Sequence, residues 1–116
     1  MDYSAGKGYY KNAVQYMQEN YMQNINIAEV AQALGISYVY LNKLFKTHQV
    51  MGIRPIDYLN LLRIDRAACF LIQTDDSLDV ISEKVGYNNI QSFARFFKKY
   101  KAMTPGNYRR CHRRQF

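Results

Sequence analysis

Apolar residues recur along this chain at helical spacing, with polar positions filling the gaps. In residues 9–21, Tyr10, Ala13, Val14, Met17 and Tyr21 make one stripe. "NIAEVAQALG" opens on Asn26, an N-cap residue, with Glu29 at the reciprocal capping-box spacing. Gly35 then stops that helix, since glycine enters the positive-φ conformation of a helix C-terminus without steric penalty. Ser37 is placed to cap a helix running through Leu41, Leu44 and Phe45. Pro55, suited to a first helical position, begins a longer helix whose predicted buried side is Leu59, Leu62, Ala67, Phe70 and Leu71. "TDDS" interrupts it, Ser77 caps another short helix, and Gly86 ends that one. A last turn or short helix follows Pro105, and no stretch reads convincingly as a strand. The expected fold is all-α, with residues 1–7 as a flexible leader and 111–116 as a basic tail.

The stretch "NNIQSFARFFKKY", residues 88–100, separates most cleanly. Phe93, Phe96, Phe97 and Tyr100 stand at i, i+3, i+4 and i+7, one face of a helix. An aromatic stripe at this spacing is ordinarily core. Gln91, Arg95, Lys98 and Lys99 fall opposite, with Ser92 and Ala94 at the margins. A merely solvated face usually mixes charges of both signs, and this one carries no acid.

The chain also repeats. "IAEVAQALGISYVYLNKLFK" (27–46) lies over "LDVISEKVGYNNIQSFARFFK" (78–98), pairing Ile27 with Leu78, Val30 with Ile81, Leu34 with Val85 and Gly35 with Gly86. After one extra residue in the second copy, Leu41 pairs with Phe93, Lys43 with Arg95, Phe45 with Phe97 and Lys46 with Lys98. Ala31 and Ser82 match as small residues where two helices cross closely. Each copy is a short helix, a glycine turn and a second helix, which is a helix-turn-helix. The first is expected over about 26–48 and the second over about 77–100. A linker helix over about 55–73, a rod of ~27 Å, lies between them.

Composition narrows the partner. The chain of 116 residues has 16 Lys and Arg against 9 Asp and Glu, a net charge of +7. Arg95, Lys98, Lys99, Lys101, Arg109, Arg110, Arg113 and Arg114 are all basic, and no acid interrupts 95–116. Asp75, Asp76, Asp79 and Glu83 form an acidic cluster just upstream. Such a local field points to a polyanion such as nucleic acid. No apolar run approaches a membrane span, and no signal peptide opens the chain. Cys69 and Cys111 are too few and too distant for a disulfide framework or a zinc site. Reduced thiols and a cytoplasmic location are expected. His48 and His112 have no companion ligand at metal spacing, and His48 reads as packing at an interface.

Arginine's fork fits guanine O6 and N7, and glutamine fits adenine N6 and N7. Arg95 and Gln91, one turn apart on the polar face, are therefore expected base readers. Lys43, with Asn42 and Val39 on the same flank, is the counterpart in the first copy. Val39 and Ile90 have the apolar surface to meet a thymine methyl, although Ile90 also borders the aromatic stripe. Lys46, Lys98 and Lys99, with Ser92, are assigned to phosphates, contacts that position a protein without reading sequence. Arg63 and Arg66 read as interdomain or surface charges.

"YLNKLFK", "GIRPIDYLNLLRIDRAACFL" and "ISEKVGYNNIQSFARFFKKYKAMTPGNYRR" together resemble the DNA-binding domain of the AraC/XylS transcriptional regulators. The resemblance covers roughly 8–110 and is most specific from Gly86-Tyr87 through Tyr108-Arg109. It implies seven helices in two helix-turn-helix subdomains joined by a long central helix, the second helix of each motif (about 37–47 and 89–100) entering a DNA major groove. The chain departs from the family's pattern in a loop two residues longer between Phe45 and Gly52. It also has Arg54 where serine is common, Ala102 where glycine is common, and Val80 in place of a capping glutamate.

Sequence-specific binding of double-stranded DNA in bacterial transcription regulation is the expected function, with recognition helices in successive major grooves. No catalysis, cofactor or metal is expected. The acids fall at helix starts, where carboxylates serve as caps, and the chain has no phosphate loop and no paired histidines. RNA polymerase would be a further partner of an activator. The isolated domain is expected to be monomeric, any dimerisation of a full-length protein falling to a separate domain. The competing reading is a helical protein-interaction module whose basic face docks an acidic partner.

Overall fold

The structure, a computed structural model, describes residues 3–48 and 52–113. Seven α-helices account for most of them: α1 Tyr3–Asn20, α2 Ile27–Ala33, α3 Tyr38–His48, α4 Pro55–Gln73, α5 Leu78–Lys84, α6 Ile90–Lys101 and α7 Pro105–Arg113. No strand occurs among the described residues, and the all-α expectation holds. The chain divides into two compact units, Met1–Tyr21 with Ile25–Leu59, and Met22–Asn24 with Asn60–Phe116. The expected boundaries at the two ends do not survive. Residues 3–7 belong to α1, because Gly6 is buried and lies where a Cβ would sit 3.5 Å from Leu44 and His48 of α3. Residues 111–113 belong to α7, where His112 stacks on Tyr108 with ring centroids 3.8 Å apart. The remaining residues of the expected leader and tail, and 49–51 of the long loop, lie outside the described residues.

In the first unit, Ala13, Met17, Val30, Leu41 and Phe45 are fully buried. Tyr10 packs edge-on to Phe45 at 5.1 Å and against His48 at 5.5 Å, so His48 packs inside this unit. Burial raises the Tyr10 phenol's pKa above its ordinary value, with help from Tyr58. Local caps set the helix starts. Asn26 Oδ1 accepts the Glu29 N–H at 2.9 Å, although the return bond comes from the Asn26 side-chain amide to Glu29 Oε1 rather than from the backbone. Ser37 Oγ accepts the Tyr40 N–H. Arg54 is also accommodated. Its backbone N–H and its guanidinium both donate to the Asp57 carboxylate, 2.9 Å away at the shortest, closing the start of α4.

The second unit is built on Ile64, Ala67, Ala68, Leu71, Ile81, Val85, Phe93 and Phe97, with Phe96, Phe70, Tyr100 and Tyr108 packed around them. The buried side of α4 therefore differs from the expected one: Leu62 is only half-buried, whereas Asn60 and Arg63 are buried. Arg63 is not a surface charge. It donates to the Gln23 carbonyl at 3.0 Å and lies 5.5 Å from the centre of the Tyr87 ring.

The two helix-turn-helix motifs share one turn, bond for bond. In the first, Ile36 N–H donates to Ala31 O at 3.0 Å and Gly35 N–H to Gln32 O at 3.1 Å, with Gly35 at φ +70°. In the second, Tyr87 N–H donates to Ser82 O at 3.0 Å and Gly86 N–H to Glu83 O at 3.1 Å, with Gly86 at φ +100°. Both are Schellman turns. Ala31 and Ser82 sit at their base, both buried, as their small size requires.

Candidate nucleic-acid interface

A helix that leaves such a turn exposes one face and buries the other. On α3 the buried face is Leu41, Leu44 and Phe45, which leaves Val39, Lys43 and Lys46 exposed. Asn42 is half-buried, and its side-chain amide donates to the Tyr38 carbonyl one turn back at 3.0 Å. Its Oδ1 and its second amide hydrogen remain for other work. Tyr38, which sequence spacing puts on the stripe of Leu41 and Phe45, is 51% exposed because it opens the helix. Its exposure is the part of this face that sequence reasoning missed.

On α6, Phe93 and Phe97 are fully buried, while Gln91, Arg95, Lys98 and Lys99 are all exposed. Asn89 Oδ1 accepts the Ser92 N–H at 2.8 Å, so the Ser92 backbone amide is committed to the cap and only its hydroxyl faces outward chemistry. Ile90 is half-buried against the core of the unit, which sets it apart from the exposed residues of α6. Arg95 lies over the Phe96 ring at 5.2 Å and Lys99 over Tyr100 at 5.4 Å. These cation–π contacts steady the side chains without neutralising them. The last turn of α6 also places Lys98, Lys99 and Lys101 where a helix C-terminus favours positive charge.

The basic C-terminal segment is less uniform than its composition implies. Lys101 pairs with Asp65 at 2.8 Å, and Arg113 with Asp75. Arg109 turns inward and donates to the carbonyls of Leu71, Thr74 and Asp76 at 2.8–3.1 Å, clamping the end of α4 and the loop after it. Asp76 pairs with Lys84, whose hydrogen bond holds the carboxyl below its ordinary pKa. Part of the acidic cluster thus answers part of the basic run, while Arg95, Lys98 and Lys99 stay exposed on α6, a helix with no acid. No group of three His, Cys, Asp or Glu residues suited to a metal occurs among the described residues. Likewise, no helix there is long and apolar enough to cross a membrane.

A helix-turn-helix domain family matches residues 30–111, most of the chain. The chain belongs to the AraC/XylS family. The raffinose operon transcriptional regulatory protein of Pediococcus pentosaceus is 36% identical over 98 residues, which are 84% of this chain and 35% of that protein. The chain thus spans about a third of that relative's length. The C-terminal domain of AraT, a response regulator from Geobacillus stearothermophilus, superposes with a TM-score of 0.84 at 34% identity, covering 89% of this chain and 84% of that domain. A Chromobacterium violaceum transcriptional regulator with an AraC-type DNA-binding domain gives a TM-score of 0.78 at 26% identity, over 91% of this chain and 93% of that one. Helices α3 and α6 are the second helices of the two motifs.

Proposed function

We propose that this chain binds duplex DNA as a monomer, with α3 and α6 each entering a major groove, in successive turns of one site. Gln91, Arg95, Lys43, Asn42 and Val39 read base edges, and Lys46, Lys98, Lys99 and the Ser92 hydroxyl hold phosphates. Ile90 contributes to packing more than to reading. The domain serves transcription in the cytoplasm, as the regulatory part of a larger machinery that includes RNA polymerase when it activates. The observation that carries this reading is the acid-free face of α6, where Gln91, Arg95, Lys98 and Lys99 are all exposed on a helix fixed by its buried aromatic side.

The test is a gel shift on duplexes enriched from a random library, run across a salt series with unlabelled duplex and an acidic polypeptide as competitors. Expected are a log K against log[salt] slope of about −0.9 per phosphate neutralised and displacement by duplex alone. Inserting about five base pairs between the two half-elements turns one of them half a helical turn away and should remove most specific affinity. Displacement by the acidic polypeptide in place of duplex would shift the assignment to a protein-interaction module. Tolerance of the insertion would leave a single reading helix.

A further inference from the structure

The two recognition helices leave identical turns yet differ in what their first turn presents. In α3 this turn carries Tyr38 and Val39, 51% and 75% exposed. The corresponding positions of α6 are Ile90, packed against its unit's core, and Gln91, exposed. The first copy therefore holds two apolar side chains outward where the second holds one amide. Folding does not explain that choice. An exposed valine lacks packing to offset its lower helix propensity, and it costs a few tenths of a kcal/mol relative to alanine. An aromatic ring beside it adds apolar surface to water.

Thymine's C5 methyl is the apolar group that a base pair shows in the major groove, and it lies next to the O4 acceptor. Val39 ends in two methyls. Lys43, four residues on, lies on the same exposed face and carries a hydrogen-bond donor. Methyl contact and donor thus stand one helical turn apart on one exposed face.

We infer that the first recognition helix reads thymine through its methyl group, with Val39 and Tyr38 as the apolar contacts and Lys43 as the donor. The second helix reads purine edges through Gln91 and Arg95. One site then has two chemically unlike halves, the first dependent on methyl groups. This inference rests on the DNA-binding reading, and the following experiment separates the two.

A duplex enriched from a random library by the wild-type chain is resynthesised with each thymine in turn replaced by deoxyuridine, which removes only the methyl. At one or more thymines, affinity should fall about four-fold, the worth of one buried methyl group. That loss should vanish in Val39→Ala or Tyr38→Ser and persist in Gln91→Ala. The wild-type series needs no variant, and circular dichroism checks that each variant keeps its helix content. If every deoxyuridine duplex binds as tightly as its parent, or if the loss persists in both first-helix variants, methyl reading is overturned while DNA binding stands. If the library yields no enriched duplex, both readings fall.

Discussion

Tyr87 donates its phenol hydrogen to Asn60 Oδ1 over 2.8 Å, and both residues are buried. Tyr87 directly follows Gly86, and its backbone N–H closes the Schellman turn on Ser82. One residue therefore fastens the turn before α6 through its backbone and ties it to α4 through its side chain. Burial pushes the Tyr87 phenol's pKa well up and pulls the Arg63 guanidinium beside it down.

Removing that hydroxyl leaves the Asn60 acceptor buried and unsatisfied. Tyr87→Phe should therefore lose about 1–3 kcal/mol of unfolding free energy in urea titrations. The pH dependence follows from the direction of the shift. A phenol titrates near ~10 in the unfolded chain and higher in the folded one. The stability held by protonated Tyr87 is complete below that pH and is lost as pH rises past it. The gap between wild type and Tyr87→Phe should narrow as pH is raised from about 9 to 11, because only the wild type has this group to lose. A gap that widened over the same interval would contradict the assignment.

Arg109 belongs to the acid-free basic run of 95–116, but its guanidinium spans three carbonyls at the end of α4 and in the loop after it. Arg109→Ala should lower stability by about 1.5–3 kcal/mol, the range for hydrogen bonds made by a charged group. Arg109→Lys should recover little of this, since a single ammonium cannot reproduce the planar fork. Thermal unfolding of the three proteins at matched pH decides the point.

Backbone conformation predicts opposite signs for similar substitutions. Ala102 ends α6 at φ +63°, a left-handed conformation, so Ala102→Gly should raise stability by about 1 kcal/mol. Gly8 sits inside α1 where a Cβ would meet nothing within 4 Å, so Gly8→Ala should raise stability by about 0.5–1 kcal/mol. Gly35 is at φ +70°, and Gly35→Ala should lower stability by about 1–2 kcal/mol. Denaturant midpoints at constant m-value measure all three.

Residues that position the protein on DNA should separate from residues that read it. Lys98→Ala should weaken all duplexes alike and flatten the salt slope by about 1, whereas Arg95→Ala should cost about 1–3 kcal/mol and relax preference at one or two base pairs. Both side chains are exposed, so neither change should move the melting temperature appreciably. An unchanged ranking of site variants in Arg95→Ala would reassign that residue to backbone contact.

What was legible in the sequence is what neighbouring residues decide among themselves. Asn26, Ser37 and Ser77 cap because a side-chain oxygen reaches an amide three residues on. Gly35 and Gly86 stop helices because the turn demands positive φ. The α6 stripe needed only its period. Asn60 and Arg63 were not legible on α4, because a polar residue on a buried stripe is explained only by distant partners, here Tyr87 and the Gln23 carbonyl. The start of α1 was hidden by the weak helix propensity of Gly6 and Gly8, which burial of Gly6 beside α3 overrides. At the candidate interface, the exposed set Gln91, Arg95, Lys98 and Lys99 followed from periodicity. The outward turn of Tyr38 did not, since its spacing matches the core residues of its own helix.

The paired Schellman turns have a consequence for how such a domain can change. Each is held by main-chain bonds, one glycine and one small buried residue, none of which lies on the outward face of the helix that follows. Mutations at Val39, Lys43, Gln91 or Arg95 therefore leave the turn's bonds untouched, and mutations of the glycines alter no outward side chain. The outward residues of each motif can therefore change under little constraint from folding, one motif at a time. The two copies thus carry unlike outward residues, Val39 in one and Gln91 in the other, on the same main-chain corner.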